Sequence, residues 1–174
     1  MIQRAPERYQ VAFATSAGRF TVVVRRALAP LGADRFYHLV KHGFYDQQRF
    51  FRVVPGHLVQ FGIHGDPEVS AKWSHAAIED DPPKGSNRRG TLSFARSGPH
   101  SRTTQVFVNV GNNSPLDEKG FAPFGEVSEG MEVVDSIFAG YGEEPDQREI
   151  ERRGNEYLQQ FPQLDYIETA RIAD

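Results

Sequence analysis

Arg52 and Gln60 are polar side chains that interrupt two short apolar runs, residues 50–54 and 58–61. A Pro-Gly turn signal separates the runs, which predicts a hairpin. An arginine keeps its charge at any accessible pH, and burying that charge without a partner is costly. Arg52 therefore either faces solvent or points into a polar or ligand-filled groove. The hairpin also places Gln60 within reach of Arg52.

Histidines at two places have a spacing that can suit a metal ion. His38 and His42 lie four residues apart on a predicted helix, but the motif has no third ligand and no adjacent glutamate. His57, His64 and Asp66 cluster in the sequence, although strand alternation places them on different faces. We favour a solvated helix face for the first pair and predict no metal site.

The sequence lacks the motifs of several other kinds of catalysis. The chain has no cysteine, which removes disulfides, thiolate nucleophiles and Cys-ligated zinc. It shows no nucleophile elbow of a serine hydrolase, no phosphate-binding glycine loop and no Rossmann fingerprint.

The composition indicates a soluble globular protein. Of the 174 residues, 39% are hydrophobic and 25% charged, and we expect a single domain over residues 1–174. A net charge of −3 argues against nucleic acid as the main partner. No apolar run approaches the ~20 residues of a membrane span, and the first residues lack the apolar core of a signal peptide. We expect a cytoplasmic protein, or a periplasmic or exported one if a signal peptide has been removed.

Hydrophobic patterning predicts a mainly β fold. Alternating or β-branched runs predict about eight strands, at residues 9–15, 19–26, 50–54, 58–61, 91–96, 105–110, 122–127 and 164–172. Helical spacing predicts two core-packing helices, at 33–42 and 130–138, and a charged surface helix at 147–160. Residues 67–89 are predicted to form a long polar loop. Strands grouped in hairpins favour a closed antiparallel β-barrel capped by two helices.

Three sequence blocks carry further information: FYDQQRFFRVVPGHLVQFG from Phe44, LSFARSGPHSRTTQVFVNV from Leu92 and LDEKGFAPFGEVSEGMEVVDSI from Leu116. Taken together, they resemble the cyclophilin family of peptidyl-prolyl cis-trans isomerases. The blocks occur in the family's order, and the resemblance extends over residues 9–172. It implies a bacterial-like, single-domain isomerase that assists protein folding. Its expected partners are unfolded or flexible polypeptides containing X–Pro, with no membrane partner, and it is expected to be a monomer.

The resemblance also implies the site residues. It makes Arg52 the catalytic arginine and Gln60 the glutamine that orients it and contacts substrate. The implied substrate-binding residues are His57, Leu58, Ala95, Arg96, Gln105, Phe107, Leu116 and Phe121. Of these, Phe107, Leu116 and Leu58 would form the proline pocket, and the backbone at Ala95 and Arg96 would pair with the substrate.

This chemistry makes and breaks no covalent bond, so it needs neither nucleophile, metal nor cofactor. Rotation about an X–Pro bond faces a barrier of ~18–20 kcal/mol because amide resonance must be broken. As the amide twists, a lone pair localises on the prolyl nitrogen. Arg52 can donate a hydrogen bond to that lone pair, and the bond is stronger in the transition state than in the ground state.

Several positions depart from the family's pattern. Phe51 and Phe121 each replace a histidine, His57 replaces a phenylalanine and Phe61 replaces a glycine. Near Pro115, many members carry a tryptophan associated with cyclosporin binding, so we expect weak or absent cyclosporin binding here.

Two alternative functions are compatible with the sequence, and one segment has no assigned role. The changes at His57 and Phe61 allow a weakly catalytic or non-catalytic chaperone or scaffold that binds proline peptides in the same groove. An unrelated β-barrel that binds small ligands would require an open interior. Residues 147–162 resemble an insertion with no assigned role.

Overall fold

The computed structural model of the chain describes residues 3–173 and shows a mainly β architecture. Its eight strands are β1 Arg8–Thr15, β2 Gly18–Arg25, β3 Arg52–Val54, β4 Leu58–Phe61, β5 Thr91–Phe94, β6 Val106–Asn109, β7 Gly125–Glu129 and β8 Ile167–Ala173. Six α-helices lie in the same range: α1 Pro30–Lys41, α2 Pro67–Trp73, α3 Pro115–Glu118, α4 Met131–Asp135, α5 Gln147–Arg153 and α6 Asn155–Leu158. A 3-10 turn, Arg26–Leu28, precedes α1.

All eight strands form one antiparallel sheet in the order β3-β4-β6-β5-β7-β2-β1-β8. The sheet curls into a half-barrel, but no ladder joins its two end strands in the described chain, so the prediction of a closed barrel was wrong. The segment before β3 meets the start of β8 at an isolated bridge between Arg49 and Tyr166 and at backbone hydrogen bonds, from Phe50 N to Asp165 O at 3.0 Å and from Ile167 N to Gln48 O at 2.8 Å. The edge of β3 that does not face β4 is bonded to the loop between α4 and α5 instead, since Val53 N donates to Gly142 O at 3.4 Å.

Aromatic side chains fill the concave side of the sheet. The burial of β1 alternates strictly from residue to residue, as expected for a strand with one face on the core. Phe13 of β1 stacks on Phe20 of β2 with ring centroids 4.7 Å apart, and Phe36 of α1 packs against Phe124 at 5.0 Å. The interior is thus packed by its own side chains.

The helices differ from the sequence-based prediction in number and extent. A helix, α2, begins inside the predicted loop 67–89, because Asp66 accepts a hydrogen bond from Glu68 N and Pro67 suits the first helical position. The predicted helix 147–160 is divided at Gly154, whose φ of 62° ends α5. None of the helices in the described range is long and apolar enough to cross a membrane.

The two C-terminal helices do not simply lie on the surface. The buried side chains on the concave side belong to a first hydrophobic cluster, the core cluster. The apolar residues of α5 and α6 join residues next to β3 and β4 in a second hydrophobic cluster, made of Phe51, Ile63, Ile150, Tyr157, Leu158 and Leu164. Phe51 directly precedes Arg52, so this cluster supports the strand that carries the arginine.

Candidate active site

Four side chains form a row across the convex face of the sheet. Arg52 of β3 is paired with Gln60 of β4, Gln60 with Phe107 of β6, and Phe107 with Ser93 of β5. Directly opposed residues on neighbouring strands share one face of a sheet. The alternate residues, such as Val59, belong to the core cluster, so the row faces outward.

A polar network joins the first members of this row. Arg52 Nη1 donates to Gln60 Oε1 at 3.0 Å, and Gln60 Nε2 donates to Gln105 Oε1 at 2.8 Å. An amide group has one acceptor end and one donor end. Because both ends of the buried Gln60 amide are bonded, its carbonyl oxygen is held facing the arginine.

A carboxylate with no signal in the sequence also binds Arg52. Arg52 Nε donates to Glu143 Oε2 at 3.0 Å, across a separation of 91 residues. Glu143 lies in the loop between α4 and α5. Its side chain is 63% exposed and that of Arg52 28%, so the pair stays partly hydrated and contributes only about 0–1 kcal/mol to stability.

Apolar side chains lie next to Gln60. The rings of Phe107 and Phe121 meet edge to face with centroids 5.8 Å apart. Phe107 and Leu58 are buried, yet they belong to neither hydrophobic cluster, as expected for side chains on the convex face. Leu116 O accepts a hydrogen bond from Phe121 N at 3.3 Å, which brings α3 to the same place. Together these residues make an apolar surface beside a cation.

Arg96 lies at the edge of this apolar surface, next to Phe121. Its guanidinium lies 6.0 Å from the centre of the Phe121 ring and donates to Lys119 O at 2.7 Å. The backbone N–H of Ala95 donates to Gln105 O at 2.9 Å. In the described part of the chain the backbone N–H of Arg96 donates to no protein group, so it can donate to a bound molecule.

His57 is tied into a separate polar network. Asn113 Nδ2 donates to His57 O at 2.9 Å and to Asn109 Oδ1 at 2.7 Å, which fixes the orientation of the Asn113 amide. Its Oδ1 therefore faces His57 Nδ1, 2.9 Å away. Since that oxygen can only accept, Nδ1 carries the proton.

A cavity of about 280 Å³ lies beside the row, between α2 and α5. Its walls include His64, Trp73 and Arg148, and it touches the polar network at Gln105. Burial lowers the pKa of His64, and its Nδ1 accepts a hydrogen bond from Asp66 N at 2.9 Å. Phe107 and Phe121 are not among its lining residues, so the cavity is distinct from the apolar surface at Phe107.

The structure thus brings together most of the residues expected from the sequence. Arg52, Gln60, Gln105 and Phe107 form one connected set, bordered by Leu58, Ala95, Arg96, Leu116 and Phe121, while His57 bonds to Asn113. Sequence reasoning missed Glu143, Asn113 and Ser93. Strand alternation could have found Ser93, a small polar residue in an apolar run, whose Oγ donates to Asn87 Oδ1 at 2.7 Å.

The chain is similar in sequence to one protein family and to named members of it. Residues 10–153 match the sequence model of a family described as cyclophilin type peptidyl-prolyl cis-trans isomerase/CLD. The chain is 37% identical over 129 residues to the peptidyl-prolyl cis-trans isomerase of Acinetobacter baylyi, covering 71% of this chain and 68% of the relative. It is 38% identical over 133 residues to peptidyl-prolyl cis-trans isomerase A of Dickeya dadantii, covering 73% and 70%.

Solved structures share the fold. A crystal structure of a cyclophilin type peptidyl-prolyl cis-trans isomerase from Cryptosporidium parvum matches with a TM-score of 0.70 at 20% identity, covering 96% of this chain and 98% of that one. A structure of that protein in the presence of the dipeptide Ala-Pro gives a TM-score of 0.69 at 20% identity, with coverage of 95% and 99%. At this level of identity the likeness concerns the fold.

Proposed function

The chain belongs to the cyclophilin family of peptidyl-prolyl cis-trans isomerases, and we propose that Arg52 carries the activity. The protein is an isomerase that rotates X–Pro peptide bonds and so assists protein folding. The observation that supports the assignment of Arg52 is its place at one end of a row in which Gln60 separates it from Phe107. A fixed cationic donor on β3 thus lies two strands away from the apolar ring of Phe107 on β6, with Gln60 of β4 between them.

The proposed chemistry is a single hydrogen bond that strengthens as the amide twists. In the planar amide the prolyl nitrogen shares its lone pair with the carbonyl group and accepts poorly. In the twisted amide the lone pair is localised, and the guanidinium of Arg52 donates to it. A hydrogen bond to a charged group contributes about 1.5–3 kcal/mol, which corresponds to roughly one to two powers of ten in rate.

The apolar surface would hold the proline ring during this rotation. Phe107, Phe121 and Leu116 can contact the three ring methylenes, and each methylene transferred from water contributes about 0.8 kcal/mol. The backbone N–H of Arg96 can anchor the substrate backbone next to the ring. With the ring and one backbone group held, the carbonyl that precedes proline is the part that moves.

In this proposal Gln60 and Gln105 orient the guanidinium of Arg52 through hydrogen bonds. Gln60 accepts from Arg52 Nη1, and Gln105 accepts from Gln60. Leu58, on the same strand as Gln60, would add its side chain to the pocket, and the N–H of Ala95 donates to Gln105 O, next to β6. His57 would border the groove with its ring fixed by Asn113.

Phe61, one of the two substitutions that motivated a non-catalytic alternative, does not obstruct the row. Phe61 is fully buried and packs its ring edge to face against Phe13 at 5.7 Å and Phe50 at 5.6 Å, on the core side of the sheet. It therefore cannot fill the groove on the opposite face. The packed interior likewise gives no room for a small-molecule barrel.

We further propose that residues 1–174 act as one domain and as a monomer on flexible polypeptides, without nucleic acid or membrane partners, in the cytoplasm or, if exported, in the periplasm. The first hydrophobic cluster supports the single domain, because it draws on residues from Ala5 to Ala170. The net charge of −3 supports the absence of nucleic acid.

The test of the site is an Arg52→Ala protein in a peptide isomerisation assay and in proline-limited refolding. We expect kcat/KM to fall by about 10- to 100-fold, from loss of one charged donor. Arg88→Ala is the matched control, because Arg88 is an exposed arginine outside the row that pairs with Glu126. Equal activity of the Arg52→Ala and wild-type proteins would refute the role of Arg52.

A further inference from the structure

The hydrogen bonds of Arg52 hold its guanidinium at two separate nitrogens. Glu143 accepts from Nε and Gln60 accepts from Nη1, both at 3.0 Å. Within residues 3–173, Nη2 donates to no acceptor. The two protein acceptors therefore fix the plane of the guanidinium while leaving Nη2 for a substrate.

The loop that carries Glu143 is attached to the strand that carries Arg52. Val53 N donates to Gly142 O at 3.4 Å, and Glu144 N donates to Tyr141 O at 2.9 Å, closing a turn around Gly142. Gly142 has a φ of 54°, a left-handed conformation that favours glycine. The turn thus delivers the Glu143 carboxylate to the edge of β3.

The C-terminal segment, residues 147–162, holds the same loop from the other side. The ring of Tyr141 meets that of Phe161 edge to face at 5.1 Å. Asp146 N donates to Tyr157 Oη at 3.0 Å. The match to the family model ends at residue 153, so Tyr157 and Phe161 lie beyond the part of the chain that it covers.

We propose that Glu143 is a positioning residue for Arg52, and that segment 147–162 keeps the Glu143 loop in place. This inference rests on the proposed role of Arg52. An unanchored arginine samples many rotamers, and each anchor reduces the entropy lost when the side chain donates to the twisted amide. Glu143 binds Nε and so does not compete with substrate for Nη2.

The first experiment compares kcat and KM of three variants with the wild-type protein. Because the pair is partly exposed, we expect Glu143→Ala to lower kcat by about three- to fivefold and to leave KM nearly unchanged. Glu143→Gln keeps an oxygen that can accept from Nε, so it should recover most of the lost rate. Glu144→Ala, which removes the same charge from the neighbouring position, should match the wild type.

A second measurement reports on the arginine directly. In an NMR experiment on the Arg52 Nε–H group, we expect faster hydrogen exchange with solvent in Glu143→Ala than in wild type. Tyr157→Phe removes the bond to Asp146 without touching Arg52, and it should shift exchange and kcat in the same direction by a smaller factor.

The results separate this inference from the proposed function. An active wild type whose Glu143→Ala variant keeps its kcat and Arg52 exchange rate would overturn the positioning role. A rise in KM with unchanged kcat would also overturn it, because Glu143 would then contact the substrate. If Arg52→Ala loses activity while Glu143→Ala keeps the wild-type kcat, the positioning role of Glu143 is refuted and the proposed function is still supported.

Discussion

Gln105 fixes which end of Gln60 faces the arginine. The Gln60 amide donates to Gln105 Oε1 at 2.8 Å, and its own oxygen accepts from Arg52 at 3.0 Å. If Gln105 offered no acceptor, the Gln60 amide could rotate and present its NH₂ group to the guanidinium. Two donors would then face each other, and the arginine would lose one anchor.

Replacing Gln105 by leucine should therefore impair catalysis through Gln60. The change leaves the buried Gln60 NH₂ group without a partner, which costs about 1–3 kcal/mol of stability. We expect kcat/KM to fall by about tenfold, which is about 1.4 kcal/mol in the transition state. Peptide isomerisation kinetics and chemical denaturation measure the two effects.

Gln105→Glu is the matched control for this prediction. A carboxylate has the same length and still accepts from Gln60 Nε2. We expect it to keep activity within about twofold of wild type, since it preserves the acceptor. Equal losses in the leucine and glutamate variants would argue that Gln105 acts by contacting substrate rather than by orienting Gln60.

Cyclosporin binding should depend on Pro115. The resemblance to the family places near Pro115 the position where many members carry the tryptophan associated with this ligand, and in the structure Pro115 is the exposed first residue of α3. An indole adds apolar area and an N–H donor. We expect Pro115→Trp to raise cyclosporin affinity by about tenfold or more, given about 1.4 kcal/mol per factor of ten.

Calorimetric titration of wild type and Pro115→Trp checks this expectation. Pro115→Phe is the control that adds an aromatic ring without an indole N–H. Tight binding by the wild type would contradict the prediction directly. No gain in either variant would show that the rest of the groove, rather than this position, limits binding.

Local patterns were enough to predict most of the fold. A mainly β protein with eight antiparallel strands is confirmed, because alternation and hairpin turns are encoded within a few neighbouring residues. Closure depends instead on how the distant ends of the sheet meet. Arg49 and Tyr166 form only an isolated bridge there, and no local pattern predicts a contact between residues so far apart in the sequence. The helix α2 has its start signal at Asp66-Pro67, but its seven residues are too few for a clear helical period.

The site shows the same division between local and distant information. The hairpin register brings Gln60 opposite Arg52, and that pairing follows from two adjacent runs and a turn. Glu143 reaches Arg52 through contacts between distant segments: Val53 N donates to Gly142 O at 3.4 Å, and a second cluster packs the C-terminal helices against Phe51. Contacts of this kind depend on tertiary packing and leave no periodic signal in the sequence.

The last prediction concerns the acid stability of the fold. Asp34 of α1 forms a two-point ion pair with Arg26, at 2.9 and 3.0 Å, and accepts from Ala5 N at 2.9 Å. Burial by itself would raise the pKa of Asp34, but these hydrogen bonds outweigh it, and the pKa lies below its ordinary value. The side chains of Asp34 and Arg26 are only 10% and 17% exposed, so solvent screens the pair weakly.

Asp34→Asn should remove the stability that the ion pair with Arg26 contributes, together with the pH dependence of that contribution. A carboxylate with a lowered pKa in the folded state stabilises it above the unfolded pKa of about 3.9, and this contribution disappears as pH falls through the folded value. We expect a loss of about 1–3 kcal/mol at pH 7, shrinking toward pH 3 and below. Denaturant titrations between pH 7 and pH 2.5 measure the difference. Glu7→Gln, which breaks the exposed Arg4–Glu7 pair, should cost less than about 0.5 kcal/mol. A constant gap between the Asp34→Asn and wild-type curves at every pH would show that the ionisation of Asp34 is not linked to folding.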